Sequence, residues 1–218
     1  MGIIIHSKIG LGFLFIGVLG AQTTPRIYLA LPDGRISNYQ PITGAERFKW
    51  FTVSTVGPVS LTAAGVISAA WGTAFNHPEE YGPHWDGFGK RYGMRLTGVS
   101  TGNAMEAGFG ALWGEDPRYF RAKGQPFKAR VSHIIKATFI AHNRQGRPMP
   151  AYARYIAVPG NNFLSNTWRA DSESQVSDAA VRTVTGFLGR MAGNAFAEFW
   201  PDVTEYISNK RNKSANSP

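Results

Sequence analysis

Imidazole and carboxylate side chains are concentrated in one short segment, which contains His77, Glu80, His84 and Asp86. All four are ligand types that zinc and other divalent cations accept. Their spacing matches no standard metal site, and Asp86 could instead cap the helix that is expected to follow. The segment therefore predicts either the metal site of an envelope enzyme, such as a hydrolase, or a solvated loop with a structural role.

No other pattern in the sequence indicates a reaction. Serine nucleophile elbows, P-loops, dinucleotide-binding fingerprints and the HExxH motif are absent from it. The acidic pair Glu115 and Asp116 stands before Pro117, an arrangement typical of a helix cap followed by a first-turn proline. His133 and His142 fall in a basic helical segment, where a cation near the helix end has a structural role. The sequence thus favours a protein that is not an enzyme, and it predicts no cofactor.

Polar side chains that fall within otherwise small or apolar helical segments form a second candidate site: Asn103, Glu106, Asn161, Asn194 and Glu198. Buried polar groups need hydrogen-bonding partners, so these side chains are expected to meet in one network. Arg118 or Arg190 could neutralise a carboxylate there. The network would either specify the packing of the helices or bind a small ligand between them. The two possibilities differ in whether these side chains line a cavity.

Small residues recur at intervals of four in several helical segments, a spacing that places them on one face of each helix. Glycine inside a helix costs about 1 kcal/mol relative to alanine, so repeated glycines indicate compensation by close contact between helices. We expect glycine-zipper packing through these stripes: Ser60, Ala64, Ser68 and Gly72; Gly98, Gly102, Gly110 and Gly114; Ala153, Ala157, Asn161 and Ser165; Gly189, Gly193 and Ala197.

The elements that carry these residues are predicted to be helices separated by proline and glycine. Thr43 and Glu46 have the spacing of a capping box, which begins the first helix. The helices are expected at 44–75, 86–114, 127–142, 151–167 and 176–199. This pattern predicts an all-α fold, a single bundle of about five main helices over residues 42–208. An irregular extended arm, with a turn at 32–34, precedes it at 22–41, and a disordered basic tail follows at 209–218.

Residues 50–76 contain no charged side chain, and this run exceeds the roughly 20 residues that span a bilayer. The run is a transmembrane candidate. It also contains Pro58 and many Ser, Thr and Gly residues, and a buried central helix would have the same composition. The sequence leaves the two open.

The beginning of the chain indicates export. A short basic start, an apolar run and small residues near Ala21 predict a signal peptide over residues 1–21. There are no cysteines, so no disulfide contributes to stability. The net charge of +9 favours an anionic partner, and export argues against nucleic acid. We expect membrane lipid or an envelope glycan to be bound by Lys90, Arg91, Arg118, Arg121, Lys128 and Arg130.

Four motifs resemble those of a family of exported proteins from Acidobacteria-type genomes, to which no function is assigned. They are PITGAERF from Pro41, GFGKRYG from Gly87, EDPRYF from Glu115 and EFWPD from Glu198. The resemblance extends over about residues 41–202 and implies export and a helical architecture. It supplies no catalytic residue, substrate or cofactor.

Together these features predict an exported protein of the periplasm or cell envelope, membrane-associated or membrane-embedded, with a structural or binding role. An envelope hydrolase or metal-dependent enzyme and a small-ligand binding module between helices are the alternatives. Homo-oligomers are compatible with the packing stripes.

Overall fold

A computed structural model of the chain describes residues 26–27, 35–57 and 59–215. The expected signal peptide and the turn at 32–34 lie outside these residues. The described part is mainly helical with two short strand pairs, so the all-α prediction is confirmed at the level of a mainly helical class. Its helices are α1 Gly44–Val56, α2 Ile67–Ala74, α3 Trp85–Trp113, α4 Phe127–Phe139, α5 Tyr152–Leu164 and α6 Val176–Ala215.

Two short strand pairs join the helices. β1 (Arg26–Ile27) runs parallel to β2 (Phe120–Arg121) and ties the N-terminal arm to the segment between α3 and α4. β3 (Ile140–His142) pairs antiparallel with β4 (Pro148–Pro150). The predicted helix 127–142 therefore ends at Phe139, and His142 lies in a strand rather than at a helix end.

The capping box that begins α1 is confirmed. The Thr43 hydroxyl accepts a hydrogen bond from the Glu46 backbone N–H at 3.2 Å, and the Glu46 carboxylate accepts one from the Thr43 N–H at 3.0 Å. The helix ends at Val56 because Gly57 is extended, as expected of a residue before proline. A π-helix, Val59–Val66, then leads into α2.

The prediction of one helix over 44–75 is therefore wrong. The candidate transmembrane run is divided among α1, the π-helix and α2. Within the described ranges, no helix combines the length and the apolar character needed to cross a membrane.

Helices α3 and α5 pack antiparallel and in close contact through small residues. An added Cβ at Gly110 would lie 3.8 Å from the Ala153 Cβ, and one at Gly102 would lie 3.2 Å from the Asn161 amide nitrogen. Ala157 is also buried. This part of the predicted stripes forms a helix contact.

Other members of the α3 stripe have different surroundings. Gly98 faces open space, since an added Cβ would meet nothing within 4 Å. Gly114 lies beyond the helix, where it forms the C-cap with a left-handed φ of 71°. The prediction that α3 packs through all four glycines is therefore wrong at these two positions.

The remaining stripes are mixed. In the first, Ser60 and Ala64 are buried in the π-helix, whereas Ser68 and Gly72 are half-buried, and an added Cβ at Gly72 would meet the Arg91 side chain at 2.8 Å. In the last, Gly189 is buried, and the others are half-buried: Gly193 and Ala197.

Helix α6 extends well past its predicted end. It continues through Pro201 to Ala215, so the prediction of a disordered tail is wrong for residues 209–215. At the turn that contains Pro201, the side chains of Arg121 and Arg130 donate hydrogen bonds to the Glu198 carbonyl at 2.8 Å and 2.7 Å.

Two glycines on α3 provide a matched test of this packing. A Cβ at Gly110 would lie 2.8 Å from an Arg47 nitrogen and 3.1 Å from the Glu115 carbonyl oxygen, whereas one at exposed Gly108 would meet nothing within 4 Å. Gly110→Ala should lower the free energy of unfolding by about 1–2 kcal/mol, because overpacking outweighs the gain in helix propensity. Gly108→Ala should raise it by about 1 kcal/mol. Chemical denaturation measures both, and equal effects would contradict the close approach at Gly110.

Candidate functional site

The segment between α3 and α4 is unusual because every residue of Gly114–Ala122 is buried. We call it the buried connector. Loops normally lie at the surface, where water satisfies their polar groups. This one carries two acids and two arginines into the interior. Each of these charges therefore needs a partner within the protein.

Asp116 and Arg118 form an ion pair within the buried connector. The Arg118 guanidinium donates to the Asp116 carboxylate with distances of 2.6–3.0 Å, and the Arg118 backbone N–H donates to it at 3.0 Å. The Tyr39 hydroxyl adds a bond at 2.9 Å. Burial, reinforced by the Asp116 charge, raises the pKa of Tyr39. The predicted role of Asp116 as a helix cap is wrong, because its carboxylate binds Arg118 instead.

Glu115 links the buried connector to two helices. Its carboxylate accepts a hydrogen bond at 3.0 Å from the Ala153 N–H, in the first turn of α5, and its carbonyl accepts one at 2.7 Å from Arg47 of α1. Burial raises the pKa of this carboxyl. A single residue thus holds the start of α5 against α1.

Glu198, on α6, is completely buried and binds the C-terminal part of the buried connector. Its carboxylate accepts hydrogen bonds from the Tyr119 hydroxyl at 2.9 Å and from the Ala122 N–H at 3.1 Å. Arg130 of α4 donates to it at 2.6 Å. Asp202, one turn further along α6, pairs with both Arg121 and Arg130 at 2.6 Å.

Glu106 forms a separate ionic cluster between α3, α5 and α6. Arg154 donates to it at 3.1 Å and Arg190 at 2.5 Å. Arg154 also donates to the Thr138 carbonyl at 2.8 Å, which ties α5 to α4. Burial and, to a smaller extent, the neighbouring charge of Arg154 lower the pKa of Arg190 to about 10. The two guanidinium groups share one carboxylate, that of Glu106.

The predicted polar network is divided by the structure into two parts. Asn103, Glu106 and Asn161 line a cavity of about 210 Å³ that is bounded by α1, α3, α5 and α6. Among the residues described, Asn194 and Glu198 do not line it, and both are buried. The Asn194 amide donates to the Thr138 hydroxyl at 3.3 Å. The first part therefore has the geometry of a ligand site, and the second part connects elements.

Four of the six cations predicted to bind an anionic surface are engaged inside the protein, so that prediction is wrong for them. Arg91 is buried and donates to the backbone carbonyls of His77, Pro78 and Gly82 at 2.7–2.9 Å. The other three form the ion pairs described above: Arg118, Arg121 and Arg130. The remaining two are exposed, on separate helices: Lys90 and Lys128.

The structure does not gather the predicted metal ligands into one site: His77, Glu80, His84 and Asp86. The Glu80 carboxylate accepts hydrogen bonds from the Ser172 N–H and hydroxyl at 3.1 Å and 2.9 Å. His84 occupies the N-cap position of α3, and Asp86 lies in the first turn rather than capping it. Within the described part of the chain, no group of three His, Cys, Asp or Glu side chains could hold a metal ion.

Large apolar side chains are exposed on the outside of the molecule. Trp85 is 85% exposed, and residues of this kind occur on all six helices of the described part. Helix α6 presents a continuous stripe at intervals of three or four, with Ala192 completing it: Val181, Val184, Leu188, Phe196, Trp200, Val203 and Ile207. The interior is different, since its largest fully buried side chains are all polar: Glu115, Glu198, Thr138, Asp116 and Ser165.

No family model, no curated protein and no solved structure matches the chain.

The sequence reasoning missed most of the arginines that line the cavity: Arg95, Arg154, Arg169 and Arg182. One feature of the sequence could have indicated them. Arg182, Gly186 and Arg190 follow one another at the spacing of the small-residue stripes, so they share a face of α6. That face was not recognised because arginine is usually a surface residue.

Glu198 should be critical for stability. Glu198→Gln keeps the shape of the side chain but removes the buried charge that pairs with Arg130, and Asp202 is then left to balance both Arg121 and Arg130. It should lower the free energy of unfolding by about 3 kcal/mol, in the range for breaking a buried pair. Denaturant unfolding measures the change.

The matched control is Glu205→Gln, on the same helix. Glu205 is exposed and lies 3.7 Å from the exposed Lys123. Its substitution should change the free energy of unfolding by less than about 0.5 kcal/mol. Similar losses in the two variants would contradict the role assigned to Glu198.

His142 should make stability depend on pH. Burial lowers its pKa from 6.5 to about 4, so the folded state holds it neutral over a range where the unfolded chain is protonated. Stability from this group is present above pH 6.5 and falls as the pH drops toward 4, by about 3 kcal/mol in all.

His142→Phe should flatten that part of the stability profile, measured by unfolding at several pH values. The control is His84→Phe, which removes a histidine from an exposed position. An unchanged slope in His142→Phe would show that another group is responsible.

Proposed function

We propose that this is an exported protein of the cell envelope that associates with a membrane through the apolar outer faces of its helical bundle and has a structural or binding role. The observation that supports this proposal is the inverted distribution of its side chains. Large apolar groups are exposed, and the largest fully buried groups are acidic or polar. A protein surrounded by water normally has the opposite arrangement.

The distribution of the exposed apolar residues favours lipid as the material that covers them. They occur on every helix of the described part, for example Phe48 on α1, Phe127 on α4 and Tyr152 on α5. A contact with a second copy would cover one face and leave the others in water. A lipid phase can cover several faces at once, and exposed patches of this extent are typical of interaction surfaces.

The apolar stripe on α6 is suited to lie at the surface of a membrane. From Val181 to Ile207 it covers about 39 Å at the helical rise of 1.5 Å per residue. The cations Lys210 and Arg211 follow, and their long side chains can reach anionic headgroups. Asp202, by contrast, pairs with the arginines of the interior. The helix thus has an apolar outer face and an inner face of charged side chains, with Arg182 and Arg190 toward its beginning and Glu198 and Asp202 further along.

Apolar burial, rather than charge, should dominate this association. Four of the six cations expected to meet phosphate are engaged within the protein, which leaves Lys90 and Lys128 of that set exposed on separate helices. Salt screens exposed charges but leaves apolar burial intact. Association should therefore depend only weakly on ionic strength.

The full chain should float with neutral phosphatidylcholine vesicles, and its affinity should change by less than about threefold between low and high salt. The double variant Val184→Ser with Leu188→Ser should weaken vesicle binding by about tenfold or more. Each large apolar side chain contributes up to roughly 1.5–3 kcal/mol when fully buried. Flotation at a series of lipid concentrations measures these affinities.

A matched control is the double variant Ser132→Ala with Ser208→Ala, which changes two exposed polar positions and should leave flotation unaltered. Binding that disappears in high salt would contradict the proposal in favour of an electrostatic contact. A defined oligomer that forms without lipid and does not float would contradict it in favour of self-association.

A further inference from the structure

The cavity between α1, α3, α5 and α6 is lined by three glycines. Gly98 and Gly102 come from α3, and Gly186 comes from α6. An added Cβ at Gly98 would meet nothing within 4 Å, which means that this wall borders open space. The volume of about 210 Å³ is far above the roughly 10–15 Å³ that one water molecule requires.

The wall of this cavity is strongly cationic. Of the described residues that line it, Glu106 alone is acidic, and it is shared by two arginines. Even when the partner of Arg169, Glu173, is counted, these two carboxylates are fewer than the arginines of the wall. Five arginines supply the positive charge: Arg95, Arg154, Arg169, Arg182 and Arg190. Such a wall attracts anions.

Arg182 is the arginine of the wall whose hydrogen bonds most favour an anionic ligand. Its guanidinium donates to neutral oxygens, namely the Glu173 and Asn162 carbonyls and the Asn166 amide. Its Nε is buried, and among the described residues no acceptor bonds to it. Burial also lowers the pKa of Arg182, since desolvation disfavours the charged form. The carboxylates of Glu173 and Asp178 act on this charge electrostatically, and a bound anion could accept a hydrogen bond from the Nε directly.

Asn161 indicates a second property of a suitable ligand. Its amide lies against Gly102, with the nitrogen 3.2 Å from the position that a Cβ would occupy there. Its Oδ1 is buried and, within the described ranges, has no hydrogen-bond donor. A buried acceptor left without a donor costs roughly 1–3 kcal/mol. A hydroxyl or an amine on the ligand would satisfy it.

We propose that this cavity binds a compact anion that also carries a hydroxyl or amine, such as a hydroxylated phosphate ester or a hydroxy acid. The anionic oxygens lie against Arg182, and the donor meets the Oδ1 of Asn161. The remaining arginines add charge to the walls and stay bound to their own partners. Binding here is independent of membrane association, because the cavity is separate from the apolar stripe on α6.

Calorimetric titration of the full chain in detergent tests this proposal with three probes: glycerol 3-phosphate, inorganic phosphate and glycerol. Glycerol 3-phosphate should bind most tightly, because it carries both groups. Inorganic phosphate should bind about tenfold more weakly, and glycerol should not bind measurably. Asn161→Ala should reduce the preference for glycerol 3-phosphate over phosphate to less than about threefold.

Two variants test the location. Arg182→Gln should weaken binding of glycerol 3-phosphate by at least about tenfold, since it removes the charge that faces the anion. Gly98→Leu fills open space and should abolish binding without loss of the folded state, which thermal unfolding checks. Arg144→Gln, at an exposed position away from the cavity, is the matched control and should bind as the unaltered chain does.

Absence of binding by both anions would overturn the proposal, as would binding that survives Gly98→Leu. Equal affinity for glycerol 3-phosphate and phosphate would overturn the role of Asn161. None of these outcomes bears on flotation with vesicles, so the proposed membrane association is tested separately.

Discussion

The charged side chains of the buried connector must all have partners inside the protein, and most of the helix arrangement follows from this requirement. An acid or an arginine removed from water is tolerated only when an opposite charge and hydrogen bonds replace its hydration. Glu115 therefore has to reach the start of α5, and Tyr119 and Ala122 require the Glu198 carboxylate. Satisfying these bonds brings α1, α4, α5 and α6 to the same segment.

An ionic interior has consequences for everything packed around it. Large apolar side chains would compete for the space that the ion pairs occupy, and the buried apolar residues are mostly alanine. Helices that meet through alanine and glycine come close together, as α3 and α5 do at Gly110 and Ala153. Bulky apolar groups then remain on the outer faces. Glycine has no side chain to fill the space between helices, and at Gly98 a cationic cavity lies between them.

Local signals in the sequence predicted the helical part of the fold well. The Thr43–Glu46 capping box and the proline and glycine breakers act within a few residues, so they can be read without tertiary structure. The errors arose where long-range contacts decide. Arg118 and Arg121 have the sequence appearance of surface cations, and only the folded chain brings Asp116 and Glu198 to them. Likewise, Asp116 before Pro117 resembles a helix cap, yet its carboxylate is used by Arg118.

The central claim is that the apolar outer faces of the helices contact lipid and that the polar interior does not. Photolabelling from the lipid phase tests it most directly. A carbene precursor carried on an acyl chain reacts only with side chains that contact hydrocarbon. In vesicles containing the full chain, we expect peptide mapping to find adducts at Val181, Leu188 and Trp200 and none within residues 114–122. Adducts missing from α6, or as frequent in residues 114–122 as on α6, would contradict the account.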